Sequence, residues 1–388
     1  MKGLYVVAAV TMAGVSSVFA LLAEIEHAYG IAENQLGWIS GSAFVGALIT
    51  QLWLARYADQ GHGTLLLRGG LVAAAVGLIW FGAATELWQF VLARGILGAG
   101  VGMIVPPARR YIIVTAGDHQ GERLGTFYGA YLAGFVFGPP IAGALTELTD
   151  VRVPFYLFGL ATLGCLLALR NLEITGRATA TDGGGIRVLV RLIRSRRMVA
   201  ALLVVLSFRY SIGVFEPLWA PHLDNLGAST MTVTLSLTSF ALPMLLVARW
   251  AGRLTDRFGA RPTSVLSALA TVPIMASYGY LTSVPVLIAL TVPQGLLEAI
   301  QSPGSQAAVA DAASEDDAAA AQGLGEAGGS VASMLGAFTA APLYHWLGAG
   351  PAWLIAGITM LTLVSTSAYL DPIGRRRRLG SPARTMST

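Results

Sequence analysis

The chain has 388 residues, 55% of them hydrophobic and 12% charged, with a formal net charge of +4. A soluble domain carries roughly 25% charged residues, so this chain lacks the polar shell that would keep its apolar excess from water. Lys2 is the only lysine and no basic cluster is interleaved with stacking aromatics, which excludes a nucleic-acid binder; the single Cys165 permits no internal disulfide.

The apolar residues fall into blocks of roughly 20, enough at 1.5 Å per residue to cross about 30 Å of hydrocarbon. Helices satisfy their own backbone groups in lipid, so repeated blocks predict a helical bundle, and continuous runs exclude a barrel of alternating strands. Twelve spans are predicted at 4–23, 36–56, 64–84, 87–108, 123–146, 152–170, 198–219, 230–250, 263–282, 284–308, 320–344 and 351–370. Glu24, Glu26 and Glu33 follow the first span with no small-residue cleavage signal before them, so it reads as a retained span.

Basic residues orient the bundle. One set of loops holds Arg56, Arg68, Arg109, Arg110, Arg123, the run from Arg187 to Arg197, Arg253, Arg257, Arg261 and Arg375 to Arg378. The opposite loops hold Arg152 with the acids Glu24, Glu26, Glu33, Glu86, Glu147 and Asp150. This asymmetry predicts a plasma-membrane protein with both termini in the cytoplasm. The predicted domains are a six-helix bundle over 1–170, a cytoplasmic linker over 171–197, a second six-helix bundle over 198–371 and a basic tail over 372–388. Ile186, Val188, Leu189, Leu192 and Ile193 alternate with the linker arginines, which fits either an amphipathic helix at the lipid surface or a solvated tether.

Asp59 follows the second span and Asp256 the eighth, 197 positions apart (256 − 59), about half the chain. Two similar halves are the pattern of transporters in which one half rocks against the other around a midplane site. The stretch from Gly252 to Arg261, with Asp256, Arg257 and Gly259, resembles the loop signature of the major facilitator superfamily, with Ala260 where a basic residue is usual. The equivalent stretch around Asp59 is degenerate, with Ala55 in place of the leading glycine. The resemblance implies a cytoplasmic gate at Asp59, Gly252, Asp256, Arg257, Gly259 and Arg261, where glycine permits close turning and an aspartate can anchor arginines and helix N-termini.

Arg94, with Gly98, Gly100 and Gly102 after it, is similar to the family's second signature, in which the arginine is associated with proton coupling. Read physically, a buried arginine needs an anion or carbonyl, or else snorkels to the surface beside Glu86. Gly134, Gly138, Pro139 and Gly143 in the fifth span match the signature of exporters and antiporters, although close helix packing alone also uses such glycines. The whole resemblance implies an all-α membrane protein of twelve transmembrane helices in two pseudo-symmetric six-helix bundles, working by alternating access. It also implies ion-coupled secondary transport; no GxxxxGK[ST] loop is present to take ATP.

Polar residues inside the spans are the remaining signal. Arg209 and Glu216 stand seven residues apart, nearly on one helical face, and Gln294, Glu298 and Gln301 form a stripe of steps four and three. The coupling candidates are Arg94, Arg209, Glu216 and Glu298, since a carboxyl in low dielectric can be loaded and unloaded with a proton. Gln51, Tyr128, Tyr131, Trp219, Gln294 and Gln301 are candidate cavity residues, each equally able to serve as packing. Such a cavity has few fixed charges and suits amphiphilic or aromatic organic solutes over sugars or phosphates.

The expectation is a monomeric exporter of small molecules driven by a proton gradient, with lipid, protons and solute as partners and no cofactor. The alternatives are an importer or facilitator of the same fold, and a membrane sensor or scaffold that transports nothing. Five scattered histidines have no metal-ligand spacing, and no nucleophile stands beside a base, so neither a metal site nor enzymatic chemistry is expected.

Overall fold

The structure, a computed structural model, describes residues 1–54, 62–115, 119–170, 172, 186–314 and 317–371. Asp59, Glu315, Asp316 and the arginines of the tail lie outside the described residues.

Among the described residues, twelve helices of sixteen residues or more make up the body. They are α1 (Lys2–Ala20), α2 (Leu36–Trp53), α3 (Gly63–Ala83), α4 (Leu87–Thr115), α5 (Gln120–Leu148), α6 (Val153–Ala168), α7 (Arg196–Asn225), α8 (Thr230–Phe258), α9 (Ala260–Ser277), α10 (Val284–Ala312), α11 (Ala318–Leu347) and α12 (Ala349–Leu370). Among the described residues, nine helices are long and apolar enough to cross a membrane, and α6 is a shorter apolar one. Outward-facing Leu65, Leu160, Leu167 and Leu246 are exposed, as lipid contact requires.

The ends differ from the predicted spans for a physical reason. α4, α7, α8 and α10 continue past their apolar blocks to Thr115, Asn225, Phe258 and Ala312; a helix does not stop where hydrocarbon stops, because water satisfies its exposed side chains equally well. The predicted first span breaks at Leu21, and a short helix, Leu22–Tyr29, carries Glu24, Glu26 and His27. The linker contains a second short helix, Ile186–Arg194. It docks through buried Leu192 beside Met198 and Ala321, and Arg191 grips Asp317 at 2.7 Å.

The packing is twofold. α1 packs on α5 and α6, α3 on α4 and α6, and α2 on α4; in the second half α7 packs on α11 and α12, α9 on α10 and α12, and α8 on α10. Each pair has its counterpart six helices later. The halves meet along α2 with α11 and α5 with α8, again a symmetric set. Single residues obey the same offset. Gly98 lies against the backbone of Ala43, and Gly295 against that of Phe240, both pairs being displaced by 197 positions (295 − 98 and 240 − 43). His27 and Asp224, separated by 197 positions, bond to each other, as equivalent residues do at a pseudo-twofold axis.

Each half has its own core. Phe81 packs edge-on against Phe90 and Phe155, each at 4.9 Å between ring centres, in the first. Trp219, Tyr278, Trp353 and Phe215 fill the second, and Phe19, Ala20 and Ala23 of the first half join that cluster. The two halves are therefore cemented at one end, the end of the acidic loops.

Candidate functional site

Between the halves lies a cavity of about 2070 Å³. It reaches the arginine-rich end, where Leu52, Arg109, Glu122, Leu189 and Asp317 line it, and its depth is walled by Phe19, Phe135, Phe215 and Phe240. Arg94, Arg209, Glu216 and Glu298 all line it, with Gln51, Tyr128, Tyr131 and Gln294. Trp219 and Gln301 stand behind the wall. Trp219 is fully buried, and its indole donates to Ser236 at 2.8 Å; Gln301 is likewise buried.

Arg94 does not snorkel toward Glu86. It is 2% exposed, its Nη2 meets Glu216 Oε1 at 2.5 Å, and its Nη1 donates to the Val15 carbonyl at 3.4 Å. Three helices, α1, α4 and α7, thus converge on one guanidinium, and the ion pair crosses between the halves. Gly98 and Gly102, a turn or two along α4, lie against α2 at Ala43 and Thr50, so α4 sits close enough to aim Arg94 inward.

Arg209 and Glu216 share the cavity but not each other. Arg209 pairs at 2.6 Å with Glu326 of α11, a residue that sequence reading passed over. Its signal was present: a lone carboxylate inside the glycine-rich stretch Gly323–Gly329 meets the same lone-charge criterion that selected Glu298. Glu298, 2% exposed, takes a hydrogen bond at 3.0 Å from the Gln294 amide and forms no ion pair among the described residues. Near the mouth, Arg109 lies over the Tyr128 ring at 5.3 Å, and Ser330 donates to Gln51 at 3.1 Å across the halves.

The glycines of the fifth helix act as packing surfaces. Gly134 and Gly138 face Ala9 and Ala13 of α1, while Gly143 faces Thr234 of α8 in the other half; Pro139 lies within the helix beside them. In the α8–α9 connection, Gly259 has φ 94°, a backbone conformation favouring glycine. Arg261 bonds the Ser367 carbonyl at 2.6 Å and Asp371 at 3.1 Å, tying α9 to the end of α12. Arg257 lies over Phe258 at 5.3 Å, and Gly252 has open space around it. Asp256 is exposed and holds no ion pair among the described residues, as fits an end where the cavity is open.

The acidic end is sealed by bonds between halves. His27 Nε2 meets Asp224 at 2.6 Å, Asn225 donates to Glu33 at 3.1 Å, and the Met231 amide donates to Glu147 at 3.2 Å. Thr230 bonds Glu24, and His345 approaches Glu33 at 3.6 Å. Burial and the nearby Glu33 push Glu26 up to about 7, and the bond to Asp224 raises His27.

Both shifts make the seal tighter in acid. Charged His27 stabilises it fully below its ordinary 6.5, and that contribution fades as pH rises through the raised value. Charge on Glu26 opposes the seal, so the penalty is absent below its ordinary 4.5 and complete above about 7. His27 is well exposed, so solvent screens its share. Spin labels at exposed Glu86 and Thr282, one on each half of this end, report the outcome in a Cys165→Ser background. Between about pH 5 and pH 8 the longer interlabel population should grow, and Glu26→Gln should flatten that rise; distances indifferent to pH would refute it.

Comparison with known proteins agrees with this architecture. The family model of the Major Facilitator Superfamily matches residues 4–222 and 201–385. A Methanocaldococcus jannaschii protein named as an uncharacterized MFS-type transporter is 23% identical over 258 residues, 64% of this chain and 66% of its own. The multidrug resistance protein MdtG of Enterobacter lignolyticus is 25% identical over 237 residues, 59% of this chain and 56% of its own. The chain spans less than two thirds of the length of these relatives. In fold it is similar to a variant of the nucleoside transporter NupG, at TM-score 0.81 and 13% identity over 95% of this chain and 99% of that one. It is also similar to a bacterial homologue of the human lysosomal transporter Spinster in an inward-facing, unoccupied conformation, at TM-score 0.77 and 14% identity over 98% of both chains. The chain is a multi-pass membrane protein and belongs to the Major Facilitator Superfamily.

Proposed function

We propose that the protein exports small amphiphilic or aromatic organic molecules from the cytoplasm in exchange for protons, by alternating access. The arginine-rich end then faces the cytoplasm, as positive-inside loops favour, and the state described is open inward. One observation carries the reading. Deep in the cavity Arg94 and Arg209 are neutralised by Glu216 and Glu326, Arg109 lies at the mouth over Tyr128, and Glu298, at the midpoint of α10, has no cation beside it among the described residues. A carboxyl held by a neutral amide in an apolar wall is the group whose charge a proton or a solute can cancel. The aromatic walls support an apolar cargo, and the likeness to the multidrug resistance protein MdtG supports efflux.

The test uses purified protein in liposomes with an imposed pH gradient and a mixed solute panel, following proton and solute flux together. Opposite, coupled fluxes are expected, and Glu298→Gln should remove the coupling while leaving the protein folded. Solute flux blind to the gradient would overturn proton coupling, and fluxes in the same direction would replace export by import.

A further inference from the structure

Behind the aromatic wall a line of polar side chains, buried from Tyr344 inward, runs from exposed Asn225 at the seal to the cavity. Asn225 donates to Glu33 at 3.1 Å, and its amide stands beside the Tyr344 hydroxyl. Tyr344 meets His222 Nδ1 at 2.9 Å, and His222 Nε2 meets the Tyr278 carbonyl at 3.0 Å. The Tyr278 hydroxyl bonds the Gln294 carbonyl oxygen, and the Gln294 amide bonds Glu298 at 3.0 Å.

With Glu298 ionised, every direction in this thread is fixed by chemistry. A carbonyl only accepts, so His222 Nε2 must donate and carry the proton; in the neutral ring Nδ1 then accepts from Tyr344. The Tyr344 oxygen is left to accept from Asn225. At the other end the Gln294 amide donates to Glu298, so its oxygen must accept from Tyr278. Protonating Glu298 opens a second arrangement, in which its O–H donates to a turned Gln294 and the Gln294 amide donates to the Tyr278 oxygen. His222, Tyr278, Tyr344, Gln294 and Glu298 are all buried, and a buried polar network is costly unless complete, so a break at one end disturbs the whole.

We infer that this thread couples the Glu298 carboxyl to the seal at Glu33, with His222 as its central positioning residue. It carries orientation rather than protons, because Tyr278 enters it by its backbone carbonyl on one side and its hydroxyl on the other. Opening the seal withdraws Glu33 from Asn225; the freed amide turns to water, Tyr344 loses a donor, and the shift reaches Gln294 and the carboxyl it holds. A change at Glu298 travels the opposite way, as linkage requires. The functional meaning rests on the reading of Glu298 as the proton-handling group; the coupling itself does not.

The experiment is a double-mutant cycle on the full chain, read by the spin labels at Glu86 and Thr282. In the native background Glu298→Gln is expected to change the open-to-sealed ratio about tenfold. In Tyr344→Phe, which deletes one oxygen, or in His222→Phe, the same substitution should change it less than about twofold. His222→Gln, whose amide can donate to Tyr278 and accept from Tyr344, should restore the coupling; a merely structural role would not predict that rescue. Equal shifts in native and Tyr344→Phe backgrounds would overturn the inference, as would no shift in either. Loss of additivity combined with proton flux untouched by Glu298→Gln would retain the thread and reject the proton reading instead.

Discussion

Arg94→Ala should abolish transport and destabilise the protein by about 3–5 kcal/mol, the cost of leaving one partner of a buried ion pair alone. Arg94 and Glu216 meet at 2.5 Å with side chains 2% and 10% exposed, so little water reaches either. Glu216→Gln is expected to cost less, because a neutral amide still offers Arg94 an oxygen. Replacing both, as Arg94→Leu with Glu216→Leu, should return most of the stability and none of the transport, since two apolar residues leave no orphan charge. Thermal unfolding of purified protein in detergent, paired with flux in liposomes, separates these effects. The pair is also a state marker: it bridges the halves, so an outward opening must part it. A double variant that transports normally would show that the pair serves packing alone.

The bundle was legible in the sequence because lipid imposes a length on every apolar block, and the helices found start within a few residues of those blocks. The helix ends were less so: Thr115 and Asn225 lie beyond the apolar blocks, where hydropathy carries no information and only capping and neighbours decide. Arg94 and Glu216 were each singled out as charges inside spans, yet their pairing was not. Glu216 lies 122 positions away in sequence, and no local rule connects α4 to α7. Arg209 and Glu216 were read as one face, and they do share the cavity, but each is claimed by a different helix. Trp219 stands behind the wall rather than in it because its ring stacks on Phe215 at 4.6 Å, a choice set by packing and not by the helical position of Trp219. His222 gave no signal, since a lone histidine in an apolar helix is as readily a filled core position as part of a network.

Glycines divide into two classes with opposite expected consequences. Gly98 and Gly295 press on the backbone of helices in their own half, at Ala43 and Phe240. A backbone atom cannot step aside, so Gly98→Leu or Gly295→Leu should prevent the half from assembling, with loss of folded protein from the membrane. Even Ala at either place should cost about 1–3 kcal/mol by overpacking. Gly37 and Gly41 press instead on Ala337 and Phe338 of α11, across the boundary between halves. There the clash is relieved by parting the halves, which the proposed alternating-access cycle requires. Gly37→Leu should therefore leave folded protein in the membrane and shift it toward the state open at the acidic end. An overpacking cost of about 1–3 kcal/mol corresponds to a population change of roughly five- to 150-fold. Spin labels at Glu86 and Thr282 should show the longer distance becoming dominant in Gly37→Leu, while unfolding temperature changes little. Gly125 and Gly129, with nothing near a would-be side chain, supply the control: Gly125→Ala should alter neither measurement. If Gly37→Leu protein is lost from the membrane as Gly98→Leu is expected to be, the two contacts are alike in kind, and the α2–α11 boundary is a fixed part of the fold instead of a surface that opens.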